Sequence, residues 1–302
     1  MAGGSNPTKA ILYAFVANLG IAIAKFVGFA VTGSSSMMAE AIHSSADTGN
    51  QLLLLLGMRQ SKKEPTFEHP LGYGKSTFFW SFIVAILLFT MGGLFSIYEG
   101  YHRLEHAGAP ENAWVAIGIL AVAILLEGGS LMGCMKEINL VRGDRSIWRW
   151  LKESRSAELV VVFGEDLGAL FGLVIALFFL CTAVITGDGR YDAYGSMAIG
   201  IVLFVIALFL AARIHDLLIG RSADPHLQRA IEEEIGKSED VKEIFNLITL
   251  QMGPQIMLAA KLGMGKGLSG AEACRAINAL ELRLRESFPE IRWSFIEPDV
   301  ED

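Results

Sequence analysis

Six long apolar runs, separated by short polar stretches, occupy the first two thirds of the chain. They lie near 11–32, 36–58, 77–99, 114–134, 158–186 and 194–219. Each is close to the roughly 20 residues that a helix needs to cross hydrocarbon. The first run is too long for the apolar centre of a secretory signal, and no small-residue cleavage site follows it, so it is expected to be a span. Past Gly220 the pattern changes. Asp224-Pro225 reads as an N-cap followed by a helix-compatible proline, and Leu227, Ala230, Ile231 and Ile235 recur behind it at helical spacing. Val241 to Met252 reads as a strand, Gly253-Pro254 as a turn, and Ile256, Leu258, Ala260 and Leu262 alternate as a second strand. Ser269 to Glu272 forms a capping box, opening a helix with Ala273, Ile277, Leu280 and Leu284 on one face. Ile291 to Ile296 supplies a third strand. The order αββαβ suits an open-faced sheet with two helices packed on one side. The pattern therefore predicts an all-α six-helix transmembrane domain over 1–220 and a small α+β domain over 221–302, whose exposed edge or open face is a natural dimer contact.

Composition agrees with the pattern. The 302 residues are 52% hydrophobic and only 19% charged, where a soluble domain carries about 25% charged residues. Cys134, Cys181 and Cys274 are far apart and read as isolated buried thiols, which excludes a disulfide-stapled class. The net charge of −7 decides little, but the positions of the cations decide orientation. Lys9 precedes the first run; Arg59, Lys62, Lys63 and Lys75 follow the second; Lys136, Arg142, Arg145, Arg149, Lys152 and Arg155 follow the fourth. The loops on the opposite side hold only Arg103 and Arg190. By the positive-inside rule both termini are cytoplasmic. The expectation is a multi-pass integral membrane protein with no nucleic-acid partner.

Against this background the ionisable residues inside the apolar runs stand out. Such a group at the bilayer centre costs on the order of 2.5–3.5 kcal/mol by insertion scales. His43 and Asp47 lie one helical turn apart on one face of the second run, with Glu40, Asn50 and Gln51 along the same stripe. Interhelical polar contacts average about 0.6 kcal/mol, too little to offset a buried carboxylate. An imidazole and a carboxylate at this spacing also have the ligand chemistry of a divalent metal. The fifth run holds Glu165 and Asp166. Neighbours on a helix point about 100° apart, so one is expected to face a cation and the other a neighbouring helix or a water path. Asp166 is assigned the first role; Glu165 is assigned a supporting or proton-carrying one. Gly164, Gly168 and Gly172 form a packing stripe expected to draw these carboxylates toward the second run. Glu127 reads either as a partner for Lys25 or as a proton relay, Glu99 as a group reaching the interface, and Asn18 as a helix-to-helix hydrogen bond. His69 in the loop Glu68 to Lys75 could bind a cation with Glu68 or Glu64, or simply form a surface turn. His102 and His106 have ligand spacing but read as a solvated pair at a span end.

Taken together and in order, these features resemble the cation diffusion facilitator family over nearly the whole chain. His43 and Asp47 match the family's His/Asp-x-x-x-Asp in its second helix, and His69 to Lys75 match its His-Pro-x-Gly-His/Tyr-Gly-Lys loop. Thr32 to Ser36 and Leu217 to Gly220 are also similar to it. The resemblance implies six membrane helices, cytoplasmic termini and a ferredoxin-like C-terminal domain that dimerises. It departs from the family pattern in the fifth helix, where Val162 stands four residues before Asp166 and cannot bind metal. The Glu165-Asp166 pair resembles the branch that includes a mitochondrial zinc transporter. The implied ligand set is His43, Asp47 and Asp166, with Glu165, Asn50, Gln51 or water completing it. Tyr73 replaces the second loop histidine, and the soluble part has no histidine-rich counterpart beyond His226.

The expected function is a homodimeric secondary transporter that exports a divalent transition-metal cation, in exchange for protons, by alternating access around a mid-membrane site. Ligands must shed protons to bind metal, which supplies the coupling. A His-plus-carboxylate set suits zinc, with manganese, iron and cobalt open because oxygen donors predominate. No resident cofactor is expected. Two rivals from other classes are a metal-binding scaffold or sensor without transport and a membrane metalloenzyme. The second would need a general base such as that of His-Glu-x-x-His, which the chain lacks.

Overall fold

The computed structural model describes residues 7–32, 35–105, 113–265 and 267–300. Its first part is helical: α1 (Pro7–Thr32), α2 (Ser35–Ser61), α3 (Ser76–Leu87), α4 (Phe95–Glu105), α5 (Ala113–Arg142), α6 (Ile147–Glu153), α7 (Ala157–Thr186) and α8 (Arg190–Ile219). A π-helical segment, Leu88–Leu94, joins α3 to α4 in one continuous rod. Among the described residues five stretches are long and apolar enough to cross a membrane: Pro7–Val27, Ser76–Leu104, Trp114–Arg142, Ala157–Thr186 and Arg190–Ile219. The protein is thus a multi-pass integral membrane protein. α2, with 27 residues, is about 40 Å long at a rise of 1.5 Å per residue. Its polar stripe lowers its hydropathy relative to the others. Apolar side chains left bare on the outer faces, such as Val16, Leu125, Phe178 and Ile185, are what a lipid-facing surface requires.

Two features go beyond the pattern of apolar runs. The third run is interrupted by the π-helical turn. The loop after the fourth run contains α6, whose N-cap Ser146 accepts the Arg149 amide and whose Trp150 and Leu151 are buried. The glycine stripe of α7 is a packing surface, but its partner is α8 rather than α2. A Cβ at Gly164 would lie 2.9 Å from Leu210, one at Gly168 2.9 Å from Leu203, and one at Gly172 3.3 Å from Ile199. Close backbone approach also joins α8 to the π-helical rod: a Cβ at Gly200 would meet the Gly93 carbonyl at 2.8 Å.

The C-terminal part contains α9 (Pro225–Gly236), β1 (Val241–Met252), β2 (Gln255–Met264), α10 (Gly270–Ser287) and β3 (Ile291–Asp299). The sheet order is β1-β2-β3, with β1 antiparallel and β3 parallel to β2. Ile256, Leu258, Ala260 and Leu262 are the buried face of β2, as their alternation predicts. Leu258, Ala260 and Leu262 pack with Ile231 and Ile235 of α9 and Leu280 and Leu284 of α10. The opposite face leaves Ile248 and Phe295 more than half exposed. The capping box at Ser269 and Glu272 is formed.

Polar contacts tie the two parts together. The guanidinium of Arg145 pairs with Asp224 at 2.6 Å, and Arg155 donates to the Ser222 and Ala223 carbonyls at 2.6 and 3.0 Å. Within the membrane part, Lys75 donates to the Leu218 carbonyl at 3.3 Å and so anchors the loop after α2 to the end of α8. The loop after α2 touches the tip of the β1–β2 hairpin backbone to backbone. A Cβ on Gly74 would collide with the Met252 carbonyl oxygen, and one on Gly253 with that of Gly74. Gly253 also has φ +71°, a conformation that glycine adopts without steric cost.

Candidate metal site

α2, α5 and α7 place the candidate residues. Asp47 is half-buried and lines a cavity of about 260 Å³ together with Asn50, Leu53, Leu88, Met91 and Gly92. The floor of this cavity is therefore α2 and its wall is the π-helical segment. Asn50 and Gln51, three and four residues beyond Asp47, turn toward α7. Asn50 Nδ2 donates to Glu165 Oε1 at 2.9 Å, and Gln51 Nε2 donates to Glu165 Oε2 at 3.1 Å. Asp166 points elsewhere and accepts from Ser130 Oγ of α5 at 2.9 Å. Glu165, Asp166, Asn50, Gln51 and Ser130 are all buried. The divergence of adjacent helical positions thus sends one carboxylate of the pair to α2 and the other to α5. Val162 is fully buried and apolar.

The side chains of His43 and Glu40 lie outside the described ones, although both residues sit within α2. Among the described residues no group of three or more His, Cys, Asp or Glu is gathered closely enough to hold a metal ion. Several secondary readings acquire partners. Asn18 of α1 donates to Gln51 Oε1 at 3.2 Å, the helix-to-helix bond its position suggested. Lys25 donates to Ser44 Oγ at 2.8 Å. Glu127 is buried and its Oε2 meets no hydrogen-bond donor among the described residues. Glu99 pairs with Arg103 at 2.8 Å, which in turn reaches Asp192. The loop histidine is part of a surface turn: His69 stacks on Tyr73 with ring centroids 4.5 Å apart, and its amide donates to Thr66 Oγ1. Glu64 is engaged by Arg292 of β3 instead. His102 is exposed beside Tyr98, and His106 lies outside the described residues. Ser130 is the contact that sequence reasoning missed. Within Gly128-Gly129-Ser130 it looks like one more small packing residue.

The sequence model of the cation efflux transmembrane domain matches residues 11–218, the whole bundle from α1 to α8. The chain belongs to the cation efflux family. Members of this family are transporters rather than enzymes. Among individual proteins, the chain is 32% identical over 249 residues to one from Homo sapiens named "proton-coupled zinc antiporter SLC30A9, mitochondrial", covering 82% of this chain and 44% of that one. It is 30% identical over 248 residues to metal tolerance protein C4 of Arabidopsis thaliana, covering 82% of this chain and 54% of the relative. Similarity to the manganese efflux system protein MneP of Bacillus subtilis is lower, 22% over 291 residues, but extends over 94% of this chain and 92% of that one. The chain thus spans about half the length of the first two relatives.

Proposed function

We propose that this cation efflux protein is a homodimeric secondary transporter that moves a divalent transition metal, zinc in the first instance, out of the cytoplasm in exchange for protons. His43 and Asp47 of α2 and Asp166 of α7 are the proposed ligands, with Glu165 completing the set. The observation that carries this reading is the bridge from α2 to α7. The two residues that hold Glu165 continue the helical face of Asp47, so the carboxylates of both helices serve one interior region. Buried carboxylates held by hydrogen-bond donors inside a membrane bundle are placed for a cation. The names of the human and Arabidopsis relatives support a metal cargo, and that of the human one supports zinc and protons; the name of the Bacillus relative keeps manganese in view.

In this reading α2 is a sixth span, both termini are cytoplasmic, residues 1–220 form the transport domain and residues 221–302 the dimerising domain. The αββαβ order and the parallel adjacency of β2 and β3 suit a ferredoxin-like sheet that lacks its first strand. The neutral His43 imidazole and the carboxylates bind metal on the cytoplasm-facing side and take up protons when the site opens to the other, so metal and proton compete for the same lone pairs. Zinc, manganese, iron and cobalt uptake into proteoliposomes under an imposed pH gradient tests the proposal. Proton-coupled uptake that is lost in Asp47→Ala and in Asp166→Ala is expected. A folded dimer that takes up none of the four metals would leave the chain a binding scaffold. Loss in Asp47→Ala alone would remove Asp166 from the ligand set.

A further inference from the structure

We infer that Asn18, on the first helix, is a positioning residue of the metal site, acting through Gln51 to aim the Glu165 carboxylate. The inference rests on the proposed place of Glu165 in that site. A carboxylate can only accept, so Gln51 must turn its Nε2 toward Glu165, where it donates at 3.1 Å. That choice points Oε1 of the same amide back toward α1, where it needs a donor. Asn18 Nδ2 supplies one at 3.2 Å. Gln51 is fully buried and Asn18 nearly so, so neither bond has water as a ready substitute. Turned over, the Gln51 amide would set an oxygen lone pair against Glu165, and Asn18 is the group that holds it in the productive sense. Asn50 fixes the other carboxylate oxygen at 2.9 Å, so the plane of Glu165 is set by two donors, one of which is itself oriented from a third helix.

A bond that only glued α1 to α2 would affect folding stability and leave the metal untouched. The two cases separate in a double-mutant cycle read by equilibrium zinc binding. The full chain in detergent competes with a chromophoric chelator for zinc, as wild type, Asn18→Leu, Gln51→Leu and the double variant. Each single change is expected to weaken zinc binding by about tenfold, the size of one lost buried hydrogen bond. The double variant should lose about the same tenfold rather than the hundredfold product, because Asn18 acts only through Gln51. Melting curves identify variants that fail to fold, and Asn18→Ala replaces Asn18→Leu in the cycle if the larger side chain does so. Zinc binding unchanged in the Asn18 variant, or a multiplicative loss in the double, would overturn the inference. Non-additive binding in a protein that moves no zinc across a bilayer would overturn transport and leave the positioning role standing; additive losses in a working transporter would do the reverse. A folded chain that binds no zinc would overturn both.

Discussion

Glu165 and Asp166 are neighbours in sequence but answer to different helices, and this division sets what each substitution does. Ser130 touches Asp166 at 2.9 Å, so Ser130→Ala should weaken zinc binding about threefold to tenfold, as for the loss of one hydrogen bond to a charged group, and leave transport measurable. Asp166→Ala removes a proposed ligand and should abolish uptake. Glu165→Gln keeps the shape but turns an acceptor of two bonds into a group that carries donors of its own. Facing the amide donors of Asn50 and Gln51, it should slow zinc uptake by more than about tenfold, since one buried donor must go unmatched. The carboxylates were visible in the sequence because charge inside an apolar run has few innocent explanations. Ser130 was not, because a serine after two glycines is as good for close helix packing as for donating a proton. The direction of the Glu165 side chain was equally hidden: spacing says that neighbours diverge, not which helix each one meets.

Helices of membrane length were legible from hydropathy alone, and all six apolar runs became helical. What hydropathy could not show was the π-helical turn at Leu88–Leu94, since one extra residue in a turn leaves an apolar run just as apolar. Nor could it show α6, whose seven residues are too few for a periodic signal. The same limit explains the glycine stripe of α7. Small residues say that something comes close, whereas the identity of the partner, α8, depends on the three-dimensional arrangement. The π-helical rod and α8 meet where Gly200 faces the Gly93 carbonyl and the Ile97 amide. A Gly200→Val change must move backbone rather than a flexible side-chain end, so it should cost about 1–3 kcal/mol or more, read as a lower melting temperature in detergent. Gly172→Ala, facing only the Ile199 methyl at 3.3 Å, should be far milder in the same assay.

At the scale of the whole molecule, the membrane part and the α/β part are joined by charge and by backbone. Burial alone would push the Asp224 carboxyl up, but the His226 amide and the Arg145 guanidinium outweigh it and hold it below its ordinary 3.8. A carboxyl held low in the folded protein contributes stability above its unfolded value and loses it as the pH falls through the lower, folded one. Amide exchange at the start of α9 should therefore stay slow down to about pH 4 and accelerate below it, and Asp224→Asn should remove that acid-sensitive step. The open face of the sheet and the alternation in β2 were written in the sequence; the docking of the loop after α2 on the hairpin tip was not, because its contact is made by peptide groups. That joint has an evolutionary consequence. Where two side chains meet, a gain of volume on one side can be absorbed by a loss on the other. At Gly74 and Gly253 neither position has a side chain to give up, and the atoms in the way are main-chain carbonyls that every amino acid carries. A chain damaged by Gly74→Ala should then be rescued in a suppressor selection by reversion or by a change in loop length, and not by any exchange at Met252 or Gly253.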